Sequence, residues 1–282
     1  MKTSSIRISL VTVCCITAAS CFNLQHVTDY SLSALEGVQN FENIHYGFAQ
    51  SCSDRCIFRK TNDFVVDKNT CGCLSEKKAD SINLKIYHAV YGYFESLALL
   101  SDNDLATYKI EALENALTEG DFGSIKIEKE QVASYSQVAQ ILFRAFGDTK
   151  QKNKIKTYVT KANEPIKELL AYLDFNLSSN LYGKLEVEKE RNQSYFFDLT
   201  KNDALTLFEK RRATQEYYQR LNEIKKKQNQ LLIYSRTLQK VSDGHQELFE
   251  NIETLKAKEI KQLLFSYANE IDIVITQFKK TE

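Results

Sequence analysis

Tyr217–Val241 reads YYQRLNEIKKKQNQLLIYSRTLQKV, and this stretch decides the fold. Tyr217, Leu221, Ile224, Gln228 and Leu231 step by four, three, four and three, and the seam then passes to Tyr234, Leu238 and Val241. That spacing lays one stripe along a helix. Ser242-Asp243-Gly244 follows, and glycine commonly takes the left-handed position just past a helix end. The spacing therefore predicts a turn there. Leu248, Ile252 and Leu255 lead on to Ile260, Leu264, Tyr267, Ile271, Val274 and Phe278 as a second arm. Arms of about 35 residues would each be roughly 50 Å long. A short connection makes them antiparallel neighbours. The expected shape is a long helical rod.

The rest of the chain reads the same way. Ala34, Val38, Phe41, His45, Phe48 and Cys52 form one face of a helix ending at a cysteine cluster, with His45 as a hydrogen-bonded core histidine. Ile82, Ile86, Val90, Tyr93, Leu97 and Leu100 mark a helix over about residues 75–100. Ser101 and Asp104 resemble a capping box opening another, over 102–118. Further helices are expected at about 129–146 and 150–179, with Pro165 kinking the latter. One Pro, no Trp and 9 Gly leave few punctuators, which favours long helices.

An internal repeat complicates this picture. Gly123-Ser124-Ile125-Lys126-Ile127-Glu128-Lys129-Glu130 parallels Gly183-Lys184-Leu185-Glu186-Val187-Glu188-Lys189-Glu190. Leu113 matches Leu173, Leu117 matches Leu177, Phe122 meets Tyr182, and Ser134-Tyr135 matches Ser194-Tyr195. Each copy alternates apolar and polar residues, the period of a half-buried strand. The repeat predicts a short two-stranded β-ribbon, packed through Phe122 and Tyr182. The alternative is two similar loop-to-helix junctions that never touch.

Seven cysteines sort by position. Cys14 and Cys15 lie in the apolar run Ile8–Thr17, which follows Lys2 and Arg7 and precedes small residues. This is the order of a secretory signal peptide, and the run is too short for a transmembrane helix. Ala18-Ala19-Ser20-Cys21 resembles the lipobox of the bacterial lipoprotein class, with Ala18 where leucine is commonest. The resemblance covers residues 1–21 only. It implies removal of residues 1–20, a lipid on Cys21 and, with Phe22 next, the outer membrane facing the periplasm. An ordinary cut after Ser20 also fits the small-x-small rule, but it would leave an odd five cysteines. The lipid reading leaves Cys52, Cys56, Cys71 and Cys73, which can all pair.

Those four bracket a polar segment containing Asn62-Asp63 and Asp67-Lys68-Asn69-Thr70. In an exported protein they read as a disulfide-stapled loop over 52–73. Zinc competes, although the one-residue gap between Cys71 and Cys73 strains tetrahedral geometry. Cys52–Cys73 with Cys56–Cys71 suits a chain that turns back on itself.

No motif carries chemistry. Glu42-x-x-His45 is half of a di-iron bundle site, and His26, His88 and His245 lack the matching Glu. Asp121-Phe122-Gly123 spells the kinase triplet without its accompanying segments, and is expected to be a turn. Asn176-Leu-Ser178 and Asn192-Gln-Ser194 matter only in a eukaryotic source. Lys+Arg and Asp+Glu both number 37, and removing Lys2 and Arg7 leaves 35 against 37, a mature charge of −2. Without clustered positive excess, nucleic acid is not expected as a partner. Lys225–Lys227 and the alternating Lys150, Lys152, Lys154 and Lys156 read as solvated faces.

The expected protein is therefore a mainly α, elongated helical bundle: a signal peptide over 1–20 and one helical domain over 21–282. Cys21 would hold it to the membrane, and another envelope protein is the expected partner. No cofactor and no catalytic or metal residue is expected, so the activity would be structural or protein-binding. The alternatives are a lipid-anchored helical-bundle enzyme or metal or ligand carrier, and a toxin-neutralising or exclusion-type binder.

Overall fold

A computed structural model describes residues 24–66, 71–102, 126–146, 154–201 and 203–281. Its helices are α1 (Gln25–Gln39), α2 (Phe48–Asn62), α3 (Leu74–Asp102), α4 (Lys129–Phe146), α5 (Lys154–Asp174), α6 (Tyr182–Thr200), α7 (Leu207–Glu250) and α8 (Lys258–Lys279). The fold is mainly α, and no strand occurs among the described residues. The leader, Cys21, residues 103–125 with Asp121-Phe122-Gly123, and Asp67–Thr70 lie outside the described residues. So do Lys150 and Lys152.

One hydrophobic cluster joins every helix except α2's outer half, from Leu24 to Phe278. It is rich in fully buried tyrosines, among them Tyr30, Tyr87, Tyr93, Tyr135 and Tyr234. Buried tyrosine needs a partner for its hydroxyl. Tyr30 donates to the Val241 carbonyl at 2.6 Å, and Tyr234 to that of Val38 at 3.0 Å. These two bonds run α1 antiparallel to the C-terminal half of α7.

The helical hairpin is present, but its turn lies elsewhere. Gly244 sits inside α7, and the break comes at Asn251–Ala257. The arms hold 44 and 22 residues, about 65 and 33 Å. A Cβ on Gly244 would collide with the fully buried ring of Tyr30 and lie 3.2 Å from Cβ of Tyr267. Gly37 on α1 is the counterpart: a Cβ there would stand 2.7 Å from Thr237 and 3.0 Å from Ile271. Both glycines let helices approach closely, so Gly244 is a packing residue rather than a stop.

The helix expected across 34–52 is two. After α1 the chain makes a 3-10 turn, Asn40–Asn43, and restarts at Phe48. Asp80 of α3 explains the restart. Its carboxylate accepts from the Phe48 and Ala49 amides at 2.8 and 2.9 Å, capping α2 from outside. Gly47 has no room for a Cβ, which would stand 2.7 Å from that carboxylate. Ser101 lies inside α3, its hydroxyl bonded back to Leu97 at 2.8 Å, and the helix expected over 102–118 falls, beyond Asp102, outside the described residues.

The β-ribbon is not formed. Gly183–Glu190 lies wholly within α6. Leu181 and Leu185, four apart, are both fully buried, whereas Val187 is half-exposed. Helical spacing thus governs this copy, and its strand-like alternation is incidental. In the other copy Lys129 and Glu130 begin α4, and residues 126–128 precede it as a loop. The pseudo-symmetry falls with the ribbon. Instead α5, with Pro165 inside it, continues through a π-helical segment, Phe175–Leu181, into α6 without interruption. Asn176 in that segment is buried and donates to Asn83 at 2.9 Å, while Asn180 donates to Asn176 at 3.1 Å.

His45 is not a core histidine but is exposed between the 3-10 turn and α2, whereas His26 and His245 are buried. His245 Nε2 stands 2.6 Å from the Tyr93 hydroxyl and Nδ1 3.1 Å from Asn163 Oδ1. A neutral ring satisfies both, with Nδ1 donating to Asn163 and Nε2 accepting from Tyr93. Burial pushes its pKa down to about 3.

Candidate functional site

The four internal cysteines pair as nested bridges, Cys52–Cys73 and Cys56–Cys71. Cys52 and Cys56 are one turn apart on α2, so both sulfurs face the chain that returns before α3. The inner bridge spans 15 residues, worth about 3 kcal/mol in the chain-entropy model. It holds open a cleft of about 520 Å³ whose walls include Arg55, Phe58, Arg59, Asp63 and, from α6, Arg191.

Behind the cleft, α2, α6 and α7 are tied by charge. Arg220 of α7 pairs with Asp54 at 3.3 Å, with Glu188, and with Glu223 at 3.1 Å. Burial works to lower the Arg220 pKa, but Glu188, Glu223 and Asp54 together raise it. Lys227 lies 3.8 Å from Asp54 and 4.2 Å from the centre of the Tyr46 ring. Of the lysine triplet, then, Lys225 and Lys226 are exposed, but Lys227 is built into this network.

Arg55, Arg59 and Arg191 are different. Among the described residues none of them has a carboxylate within ion-pair distance. Burial, and then the Arg55 charge, lower the pKa of Lys184, with Glu76 opposing them.

The same end of the molecule exposes aromatic and aliphatic side chains. Phe58 of α2 meets Tyr195 of α6 edge-on at 5.8 Å, and Phe196 stacks on Tyr217 of α7 at 4.5 Å. Around them Phe64 is 93 % exposed, Leu207 86 % and Phe208 73 %, with Phe197 and Tyr218 about half so. A cluster of large exposed apolar groups is informative in a way that a lone one is not.

This end lies far from the start of α1. The His26 ring lies against the backbone of Leu255, and Thr28 donates to Ser101 at 2.9 Å. Leu24 is therefore beside the α7–α8 turn. From Leu248 to Leu207, α7 runs about 60 Å.

A second cleft, about 410 Å³, lies under the π-helical segment between Phe41, Ile44, His45, Leu84, Leu177 and Leu181. Glu42 of the half di-iron motif accepts from Tyr87 at 2.6 Å. No cluster of metal-ligating side chains occurs among the described residues, and no helix among them is long and apolar enough to cross a membrane. Asn176 is buried, and Asn192 donates to the Tyr217 carbonyl at 3.5 Å.

Sequence reading found the cysteines but missed the arginines. Arg55 and Arg59 are visibly one turn apart, yet nothing local joins them to Arg191. The exposed tip had a clearer signal. Thr206-Leu-Phe-Glu209 is a capping box, with Glu209 accepting from the Thr206 amide at 2.8 Å, and it places Leu207 and Phe208 in an exposed first turn. Comparison with protein-family models, curated proteins and solved structures finds no match.

Proposed function

We propose that this chain is an exported lipoprotein, held through Cys21 to the bacterial envelope, most simply the outer membrane facing the periplasm. It acts without catalysis, presenting its stapled end to another envelope protein. The observation that carries this reading is the exposed aromatic cluster at the end of α7 remote from Leu24. Three residues reach at most about 10 Å, so an anchor at Cys21 stays near the opposite end. The paired cysteines agree with an oxidising compartment. A near-neutral mature charge keeps nucleic acid out of the proposal.

The test joins anchor and tip. Cys21→Ser should move the protein from membranes to the soluble fraction. A photoreactive residue at position 208 should give one discrete cross-linked protein in membranes, and the same residue at position 273, exposed on α8, should not. Unchanged membrane partition would sink the anchor, and equal cross-linking at both positions would sink the docking end.

The cleft under the π-helical segment favours a second reading, a helical-bundle ligand carrier. Its walls combine Phe41, Ile44, Leu84, Leu177 and Leu181 with His45, Gln50, Asp80 and Asn83, a lining that suits a small, largely hydrophobic molecule with a polar group. Saturable displacement of an environment-sensitive apolar dye, lost in Leu181→Phe, would support it; no displaceable binding would remove it.

A further inference from the structure

We propose that the arginine-lined cleft takes an extended acidic segment of the partner protein, carrying carboxylates at alternate positions. The inference rests on the protein-binding reading above and names the chemistry of the partner.

Charge carries the first step. Arg55, Arg59 and Arg191 converge on one cleft, and among the described residues Asp63 is the carboxylate in its wall. Three cations against one anion leave an excess of two. The other acids nearby, Asp54 and Glu188, already hold Arg220. Guanidinium groups accept carboxylates in a bidentate fork, and unlike an ammonium they do so with a fixed plane.

Geometry carries the second. Arg55 and Arg59 are four residues apart on α2, a helical rise of about 6 Å. In an extended peptide, side chains two residues apart point the same way and are about 6.6 Å apart. Alternate carboxylates therefore match the arginine spacing, with Arg191 closing the cleft from α6. The volume, about 520 Å³, holds several side chains, far more than one phosphate. Phe58, which lines the cleft, offers apolar contact to intervening residues.

The nested bridges give the cleft its shape. Cys52, Cys56 and Cys71 all line it. Arg55 and Arg59 thus stand on a covalently closed frame, which lowers the ordering cost of binding.

The experiment uses the mature chain in detergent micelles and a fluorescein-labelled octapeptide alternating glutamate and serine. Fluorescence anisotropy should show saturable binding that weakens with salt. The same peptide with glutamine for glutamate should bind at least tenfold more weakly. Combining Arg55→Ala, Arg59→Ala and Arg191→Ala should also cost more than tenfold, with an unchanged thermal melt because these side chains hold no ion-pair partner among the described residues. Arg59→Lys alone should cost a smaller factor, since charge stays and the fork goes. Absent peptide binding, equal binding of the glutamine peptide, or full binding by the triple variant would overturn the inference. Tighter binding of pyrophosphate or of anionic phospholipid vesicles than of the peptide would overturn it too, in favour of a phosphate headgroup. If the peptide fails while the position-208 cross-link persists, only the acidic-segment inference falls. If the cross-link fails while the peptide binds, the aromatic docking end falls instead.

Discussion

The two halves of α7 share one helix and have opposite surroundings. From Ile224 to Leu248, Ile224, Leu231, Tyr234, Val241 and Leu248 are completely buried, and Gly244 lets Tyr30 against the backbone. From Leu207 to Leu221 no residue is buried, and large apolar side chains face water. Helix propensity does not distinguish them. The inner half is fixed by tertiary packing, as most helices are. The outer half stands on its capping box, on Arg220 and on the stack of Phe196 with Tyr217. One half makes the fold, and the other is free to make contacts.

Gly244→Val would break that comparison most severely. The new side chain must displace a fully buried tyrosine ring whose hydroxyl is bonded to Val241. Overpacking of this kind costs about 3 kcal/mol or more, despite valine's better helix propensity. Urea unfolding would measure it. Valine at exposed Gln219, in the outer half, should stay within about 0.5 kcal/mol of wild type. Equal effects at both positions would mean the two halves are not differently supported.

Gly244 also shows what the sequence withheld. Ser-Asp-Gly after a helical run reads locally as a stop, and only Tyr30, more than two hundred residues upstream, reveals a close approach instead. Asp80 worked the same way in reverse: nothing near Phe48 announced a helix start, because the cap came from α3. Leu185 and Val187, two apart, fit strand alternation over so short a run, and Leu181, four before Leu185 and equally buried, decided for helix. By contrast, Ile82 to Leu100 kept one period long enough to leave no choice, and α3 covers it. The disulfide pairing was legible because nesting is what a returning chain permits. The arginine cleft was not, since Arg191 reaches it only through the packing of α6 on α2.

A graded test of the inner half uses pH. The His245 imidazole, facing Tyr93, Phe94 and Asn163, titrates at about 3 in the folded protein and near 6.5 when unfolded. Between those values the unfolded chain binds a proton that the folded one refuses. Stability should therefore be fully present above about pH 6.5 and fall by about 1.4 kcal/mol per pH unit on acidification through that window. His245→Gln keeps polar groups at the site and removes the titration. Its stability should be lower at pH 7 and flatter with pH between 6.5 and 4. An identical slope in the variant would assign the acid lability to carboxylates elsewhere.

The smallest expected effect on stability sharpens the comparison furthest. Leu207 and Phe208 are exposed by 86 % and 73 %, so little of their apolar area leaves water on folding. At about 25 cal/mol per Å² there is almost nothing to lose. Leu207→Ser with Phe208→Ser should leave urea stability within about 0.5 kcal/mol of wild type. Solubility should rise, because exposed leucine and phenylalanine favour self-association. Thr206 and Glu209 keep the capping box in the variant, so α7 still starts at the same place. If a photoreactive residue at position 197, half-exposed on α6 at the same end, then loses the cross-linked partner seen in wild type, these side chains serve contact rather than fold. A fall of 2 kcal/mol or more would show the opposite: the outer half of α7 would then be part of the core's support, and its exposed aromatic residues would need no partner to explain them.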